Sequence, residues 1–184
     1  MLLISLVAIF DPIVYDYNGQ DEYLNQRLTG SKGIEASFRW RHRIIKFNSS
    51  YSFYVRDPVT VPEYAVPQDA SVHLGLPAHK IAVDAAISLG SDMHLLSSCA
   101  YFSRRYGYVF QSGEMAVSPL PSVVLLNILL ERKNIFTAHL DAQVGVMNIL
   151  NDNYLFVQPY NGGHTPLPGA SRELVARLSY SMSL

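Results

Sequence analysis

The chain has 184 residues, 14 Lys and Arg against 15 Asp and Glu, a formal net charge of −1 and 49% apolar side chains. That balance excludes a nucleic-acid binder, which needs a basic stripe to displace counterions. A single cysteine, Cys99, excludes an internal disulfide framework and leaves a Cys-based zinc site without partners.

The first predicted element is the apolar run "MLLISLVAIF", extended here to Leu2–Asp16. It is well short of the roughly 20 apolar residues of a membrane-crossing helix. No Lys or Arg precedes it and only Asp11-Pro12 follows it, so it reads as a strand rather than a signal-peptide core. Next, "GIEASFRWRH" sets Ile34, Ala36, Phe38 and Trp40 against Glu35, Ser37, Arg39 and Arg41. "IIKFNSSYSFY" sets Ile45, Phe47, Tyr51 and Phe53 against Lys46, Asn48, Ser50 and Ser52. "HKIAVDAAISL" sets Ile81, Val83, Ala85, Ile87 and Leu89 against Lys80, Asp84 and Ser88. His94–Tyr106 alternates loosely, and Ser122–Glu131, with its run "VVLLNILL", is apolar on both faces for part of its length. "TAHLDAQVGV" sets Ala138, Leu140, Ala142, Val144 and Val146 against His139, Asp141 and Gln143. The last strand sets Leu174, Ala176, Leu178, Tyr180, Met182 and Leu184 against Glu173, Arg177, Ser179, Ser181 and Ser183. Successive strand residues point to opposite faces, so each segment has one greasy and one wet side.

The connections alternate as well. Tight turns are predicted between Arg41 and Arg43, between Gly90 and Asp92, and around Arg132 to Asn134. Long polar or Pro/Gly-rich stretches cover Tyr17 to Lys32, Asp57 to Ala78, Gly107 to Pro121 and Asn151 to Ala170. In a meander this puts every short turn at one end and every long loop at the other. Outer-membrane barrels are built that way, from strands of roughly ten residues. The expected fold is therefore all-β, an antiparallel up-and-down meander of about eight strands forming part of a larger transmembrane β-barrel. Its greasy face would meet outer-membrane lipid and its wet face would line the lumen. Trp40 and Tyr180, near the short turns, suit an interfacial aromatic girdle. Because an unpaired edge in hydrocarbon is costly, the alternation is expected to run to the terminus.

Three stretches carry a family resemblance. "VGVMNILNDNYLFVQPYNGGHTPLPGASRELVARLSYSM" resembles the C-terminal end of TonB-dependent outer-membrane receptors. Asn148-Ile149-Leu150-Asn151 stands where that family has an Asn-Leu-Phe-Asp-like turn, and Pro168 to Glu173 where a Pro-Gly-Arg-Glu-like segment opens the last strand. "DPIVYDY" followed by "TGSKGIEASFRWRH" is similar to an earlier hairpin of the family, and "SSCAYFSRRYGY" to another strand reaching the surface. Leu184 departs from the family's terminal aromatic. The resemblance implies the last third of a barrel of about twenty-two strands, with residues 1–184 as its C-terminal segment and the signal peptide, plug and TonB-contacting segment absent. It implies further partners: the barrel assembly machinery through the C-terminal strand, and the TonB complex only through the missing N-terminal part. It places the chain, if exported, in the outer membrane of a Gram-negative bacterium. The implied function is uptake of scarce nutrients such as iron–siderophore complexes, for which this piece alone is not expected to suffice.

Chemistry-bearing motifs are sparse. The six histidines show no HxxxH or HExxH spacing, and GxGxxG, P-loop and GxSxG patterns are absent, so no metal site, cofactor or enzyme activity is expected. His139 and Asp141, two apart on a polar face with Glu173 or Arg177 opposite, lack a third orienting group for catalysis. Arg39, Arg41 and Lys46 are expected to form lumen ion pairs with Glu35 and neighbouring strands. A ligand would meet the loops: Arg105, Tyr106 and Tyr108 in one, Tyr160, Asn161 and His164 in another. Aromatic faces beside charged and hydrogen-bonding groups suit a planar or anionic metal chelate, and equally suit ordinary loop packing. Three rival readings stay open. These are a self-standing eight-stranded structural barrel, an enzyme within such a barrel, and a soluble ligand-binding barrel with the greasy face inside.

Overall fold

The computed structural model describes residues 2–10, 12–17, 20–25, 28–57, 61–90 and 92–182. Its strands are β1 (Leu2–Phe10), β2 (Ile13–Tyr17), β3 (Asp21–Asn25), β4 (Leu28–His42), β5 (Ile45–Arg56), β6 (His79–Ser88), β7 (Met93–Phe102), β8 (Arg105–Gln111), β9 (Glu114–Leu120), β10 (Val123–Arg132), β11 (Leu140–Met147), β12 (Leu155–Phe156), β13 (Leu167–Pro168) and β14 (Glu173–Tyr180). Eight of them form one sheet in the order β1-β4-β5-β6-β7-β10-β11-β14. Every pairing is antiparallel and joins chain neighbours within that set, which makes the sheet an up-and-down meander. Among the described residues β1 and β14 each pair on one side only, so the sheet is an open piece of barrel wall.

Register brings the separate alternations onto one face. Residues directly opposite in an antiparallel pair lie on the same side. Ile34 faces Ile4 and Phe53. Tyr51 faces Ile81, Ile81 faces Tyr101, and Tyr101 faces Val124. Further along, Ile128 faces Val146, which faces Leu174. The other side carries Glu35 opposite Ser52, Asp84 opposite Ser98, and Gln143 opposite Arg177. It has two apolar patches, where Leu96 faces Leu129 and where Val123 and Leu125 face Phe102 and Ala100, and these account for the doubly apolar reading of Ser122–Glu131. The apolar face is uncovered: Ile4 is 79% exposed, Leu178 74% and Leu174 84%. A soluble sheet would bury such a face against a second layer.

The connections segregate by end. The short ones are residues 43–44, 89–92 and 133–139, and the long ones residues 11–27, 57–78, 103–122 and 148–172. Three long connections carry their own two-stranded ribbons, β2–β3, β8–β9 and β12–β13. The fourth, 57–78, carries a single 3-10 turn at Pro62–Tyr64 and a bridge between Ala65 and His73. Among the described residues no helix is long and apolar enough to cross a membrane, which leaves membrane-crossing strands untouched.

Several predicted boundaries move. The first strand ends at Phe10 rather than Asp16, because Pro12 supplies no amide to a ladder and Ile13–Tyr17 starts a separate ribbon. The Arg41–Arg43 turn is centred on Arg43 and Ile44, with Arg43 at φ 40°. The connection after Arg132 is longer than a tight turn, since Asn134 and His139 both adopt positive φ, at 51° and 76°. Ala138 and His139 therefore lie outside β11. The final strand stops at Tyr180, so Met182 falls beyond it, while Ser183 and Leu184 lie outside the described residues, as does Asp11.

Candidate ligand-binding loop cap

The tightest packing lies in the long connections. Val66, Val72, Leu74 and Tyr106 form a buried cluster, with Ala78, Tyr108 and Val117 packed against it. Leu74 is fully buried, as is Val14 in β2. Each such side chain contributes roughly 1.5–3 kcal/mol on burial, and these residues come from different loops. Residues that are far apart in sequence therefore hold the cap together.

Segment 148–172 is the hub. Arg105 donates from Nη1 to the Leu155 carbonyl at 3.1 Å, and Phe110 donates its amide to Thr165 Oγ1 at 3.2 Å. Gln68 donates from Nε2 to the Val117 carbonyl at 2.8 Å. Tyr15 meets Tyr160 edge-on at 5.1 Å. Gly75 donates its amide to the Tyr106 carbonyl at 2.8 Å and sits at φ +81°. A Cβ there would come within 3.0 Å of Pro159 Cα, so both the conformation and the close approach call for glycine.

A polar lattice anchors the hub to the sheet. Asn148 is buried, at φ 48°. Its amide donates to Asn127 Oδ1 at 2.9 Å and its Nδ2 to the Asp152 and Ala170 carbonyls. Its Oδ1 accepts the Asp152 amide at 3.0 Å, while Asp152 Oδ2 accepts the Val124 amide at 2.8 Å. Asn127 in turn donates to Ser98 Oγ at 2.9 Å. The turn flagged in the sequence as Asn148 to Asn151 is thus a clasp across β7, β10 and the segment that leads into β14. Asn tolerates the left-handed backbone and makes three hydrogen bonds with one carboxamide.

The predicted site residues meet in this cap in different states. Tyr106 is buried in the core, with its carbonyl engaged by Gly75. Arg105 lies with its guanidinium carbon 5.9 Å from the Phe102 ring centroid, and burial pulls its pKa below the ordinary arginine value. Its Nε has no partner among the described residues. Tyr108 packs on the edge of the core, and Tyr160 on Tyr15. Asn161 Oδ1 accepts the Gly163 amide at 3.1 Å, a turn of its own making. His164 Nδ1 lies 2.9 Å from the Thr165 carbonyl, so it donates there, and Nε2 accepts from Gln158 Nε2 at 3.1 Å. The two predicted loops do touch each other, through Arg105–Leu155 and Phe110–Thr165.

Sequence reasoning missed a second polar group beneath loop 57–78. His73, buried, bonds through Nε2 to the Gly30 carbonyl at 3.0 Å, which makes Nε2 the donor and leaves Nδ1 a lone pair without a partner among the described residues. Burial lowers its pKa, the charge of Arg56 adds to that, and the Gly30 bond opposes it, so the ring is neutral at pH 7. Tyr54 stacks on it at 6.1 Å and Tyr64 meets it edge-on at 6.4 Å. Arg56 brings a buried guanidinium whose Nε and Nη1 lack partners among the described residues. A hollow of about 260 Å³ opens beside this group, bounded by Ile9, Ser31, Tyr64, His73, Leu76 and Pro159. Sequence alternation carries no signal for His73, because its position is set by contacts between loops.

At the short-turn end, the His139–Asp141 pairing does not form. His139 sits in the turn, where its amide donates to Asn134 Oδ1, and Asp141 instead accepts the Asn134 amide at 3.1 Å. Nor do Arg39, Arg41 and Lys46 pair with Glu35: register sets Arg41 opposite Lys46 and Glu35 opposite Ser52, and the ion pair found among the described residues is Lys32–Asp57 at 3.4 Å. Among the described residues no group of three or more His, Cys, Asp or Glu could hold a metal. The cap offers aromatic faces and, at Arg105, a guanidinium with an unpartnered Nε, while the imidazole donors of His73 and His164 are already engaged.

No protein-family model and no curated protein matches the chain. Solved structures do. The chain is similar to the pyoverdine outer membrane receptor FpvA of Pseudomonas aeruginosa PAO1, solved bound to pyoverdine, with a TM-score of 0.73 and 13% identity over 98% of this chain and 27% of that one. It is similar to the siderophore receptor PirA of Acinetobacter baumannii, with a TM-score of 0.72 and 14% identity over 98% of this chain and 29% of that one. It is also similar to the ferric-catecholate import receptor Fiu of E. coli K12, with a TM-score of 0.70 and 14% identity over 97% of this chain and 25% of that one. The fold is that of a partial barrel of the TonB-dependent siderophore receptors, and the chain spans about a quarter of the length of the structures it matches.

Proposed function

We propose that residues 1–184 form a C-terminal wall segment, with its loop cap, of a TonB-dependent outer-membrane receptor for iron–siderophore or similar metal-chelate ligands. One observation carries this reading: a continuous apolar stripe crosses all eight strands on one uncovered face of the sheet, and every long connection leaves from the same edge. A face of that size is stable against lipid and unstable against water. The cap then lies outside the outer membrane, where Arg105, Tyr108, Tyr160, Asn161 and His164 border the approach of a chelate. Tyr106 holds their loops in place from within the core. The short-turn end, with Trp40 and Tyr180, lies at the periplasmic interface.

The segment supplies wall and cap, and coupling to the TonB complex belongs to parts of a receptor outside it. Cells lacking their own siderophore receptors and expressing only this chain should gain no growth on ferric siderophore. Energised growth in those cells would overturn the division of labour. If instead the membrane reading itself is wrong, the chain will fail to float with phosphatidylcholine vesicles on a density gradient.

A further inference from the structure

Segment 148–172 carries one peptide bond with a chemistry of its own. Among the described residues Asn161 is the one asparagine followed by glycine, whereas Asn134 and Asn148 are each followed by isoleucine. The next residue's backbone nitrogen can attack a carboxamide carbon. A β-branched side chain shields that nitrogen, and glycine leaves it open and lets the backbone fold back on itself.

The turn brings the reacting groups together. Asn161 Oδ1 accepts the Gly163 amide at 3.1 Å, which folds the carboxamide back over the Asn161–Gly162 peptide. The same bond draws electron density from the carbonyl and makes Cγ a better electrophile, as a donor does for a developing oxyanion. Gly163 sits at φ 69°, a conformation glycine adopts without strain, so the turn keeps this shape. A Cβ on Gly162 would come within 2.7 Å of Gln158 Oε1 and 3.2 Å of His164 Nε2, so a side chain at the attacking position would have to displace them. Gly163 and His164 are exposed, so water and hydroxide reach the turn.

We infer that Asn161 is a self-modification site, at which the loop converts spontaneously to aspartate and isoaspartate. Hydroxide takes the Gly162 amide proton, and that nitrogen forms a bond to Asn161 Cγ. The Cγ–Nδ2 bond then breaks, and the side-chain nitrogen takes a proton from water and leaves as ammonia, which restores the hydroxide. Water opens the cyclic imide at one carbonyl to give aspartate, or at the other to give isoaspartate, whose backbone runs through the former side chain. The overall change is a hydrolysis, with no oxidant or reductant. Either product sets a carboxylate beside Tyr160 in place of a neutral carboxamide. At the proposed rim of the chelate approach that charge repels an anion, a consequence that rests on the receptor reading, whereas the modification itself does not.

The test ages the full chain, folded in detergent micelles and in parallel unfolded in urea. Aspartate and isoaspartate are counted at each asparagine by peptide mapping with electron-transfer mass spectrometry. A second Asn-Gly pair, residues 18–19, lies outside the described residues and is read as a separate peptide. In the folded chain Asn161 should convert about ten-fold faster than Asn134 or Asn148, a barrier lower by about 1.4 kcal/mol. Isoaspartate should be among the products, and the rate should rise with pH. Gly162→Ala should slow the reaction, and Asn161→Gln, which keeps the carboxamide but needs a larger ring, should stop it in this loop. Conversion in urea but not in the folded chain overturns the inference, since the turn then protects the residue. An undiminished rate in Gly162→Ala overturns it too, as does aspartate without isoaspartate, because direct hydrolysis passes through no ring. These readouts do not depend on membrane insertion, so this inference and the receptor reading can fail separately.

Discussion

The loop cap and the sheet beneath it are built on opposite rules. In the cap, Leu74, Val61 and Val14 are at most 1% exposed and the loops lock together as a small soluble core would. In the sheet, side chains as large as Leu174 stand 84% exposed, and what joins one strand to the next is the backbone ladder. The contrast shows where each region finds its stability. The cap excludes water by itself, while the sheet satisfies its own backbone and leaves its apolar side to the surrounding medium. One chain thus carries two solvents' worth of design, divided at the strand ends.

The largest effect that could break this comparison is a cavity in the cap. Leu74→Ala should cost about 2–5 kcal/mol of cap stability. Amide exchange should rise across residues 61–78 while the β4–β7 ladder stays protected, and uniform loss of protection would show that cap and sheet are one unit. Next comes a charge on each face of the same strand. Val144→Arg, on the apolar side, should destabilise the chain in a bilayer by about 2–4 kcal/mol. Gln143→Arg, its neighbour on the polar side, should change it by less than about 1 kcal/mol. Denaturant titration in vesicles reads both, and equal costs would mean the faces are misassigned.

Smaller effects sharpen the boundary between the regions. Asn148→Ala removes a buried carboxamide and its three hydrogen bonds at a left-handed backbone position and should cost about 1–3 kcal/mol. Asn148→Gly keeps the backbone freedom but not the bonds, so it should recover only part of that loss in the same titration. The smallest effect is a pH response confined to the cap. His73 has its pKa lowered by burial, so the unfolded state takes up the proton first and the cap loses stability as pH falls through about 6.5, where free imidazole titrates. Above that pH the ring contributes no pH dependence. Protection factors at Leu74 and Gly75 should fall between pH 7.5 and 5.5, and His73→Gln should remove the change.

Most of the sheet was legible in the sequence because its determinants are local. Alternation in "GIEASFRWRH" or "HKIAVDAAISL" needs only neighbours two apart, and each such segment lands on its expected face. The doubly apolar stretch before Glu131 was legible as a strand though not in its cause, the pairing of Val123, Leu125 and Leu129 with Phe102, Ala100 and Leu96. The cap was less legible, because its order comes from residues far apart. Nothing near Tyr106 announces that Gly75 will bond its carbonyl, and nothing near His73 announces Gly30. Asn134 and His139 disguised a turn as the start of a strand, since a positive φ leaves no mark on an alternating pattern. The Asn148 turn could be found by resemblance, but its hydrogen-bond lattice became visible only with the pairing of β7, β10 and β11.

Trp40 reports directly on which side of the sheet meets lipid. It is the chain's only tryptophan, 47% exposed on the apolar face near the short-turn end and stacked on His42 at 5.9 Å. In vesicles of phosphatidylcholine brominated near the headgroup, its fluorescence should shift to shorter wavelength and be strongly quenched, while aqueous iodide has little effect. Emission that ignores the brominated lipid would place the apolar face away from the membrane and contradict the account.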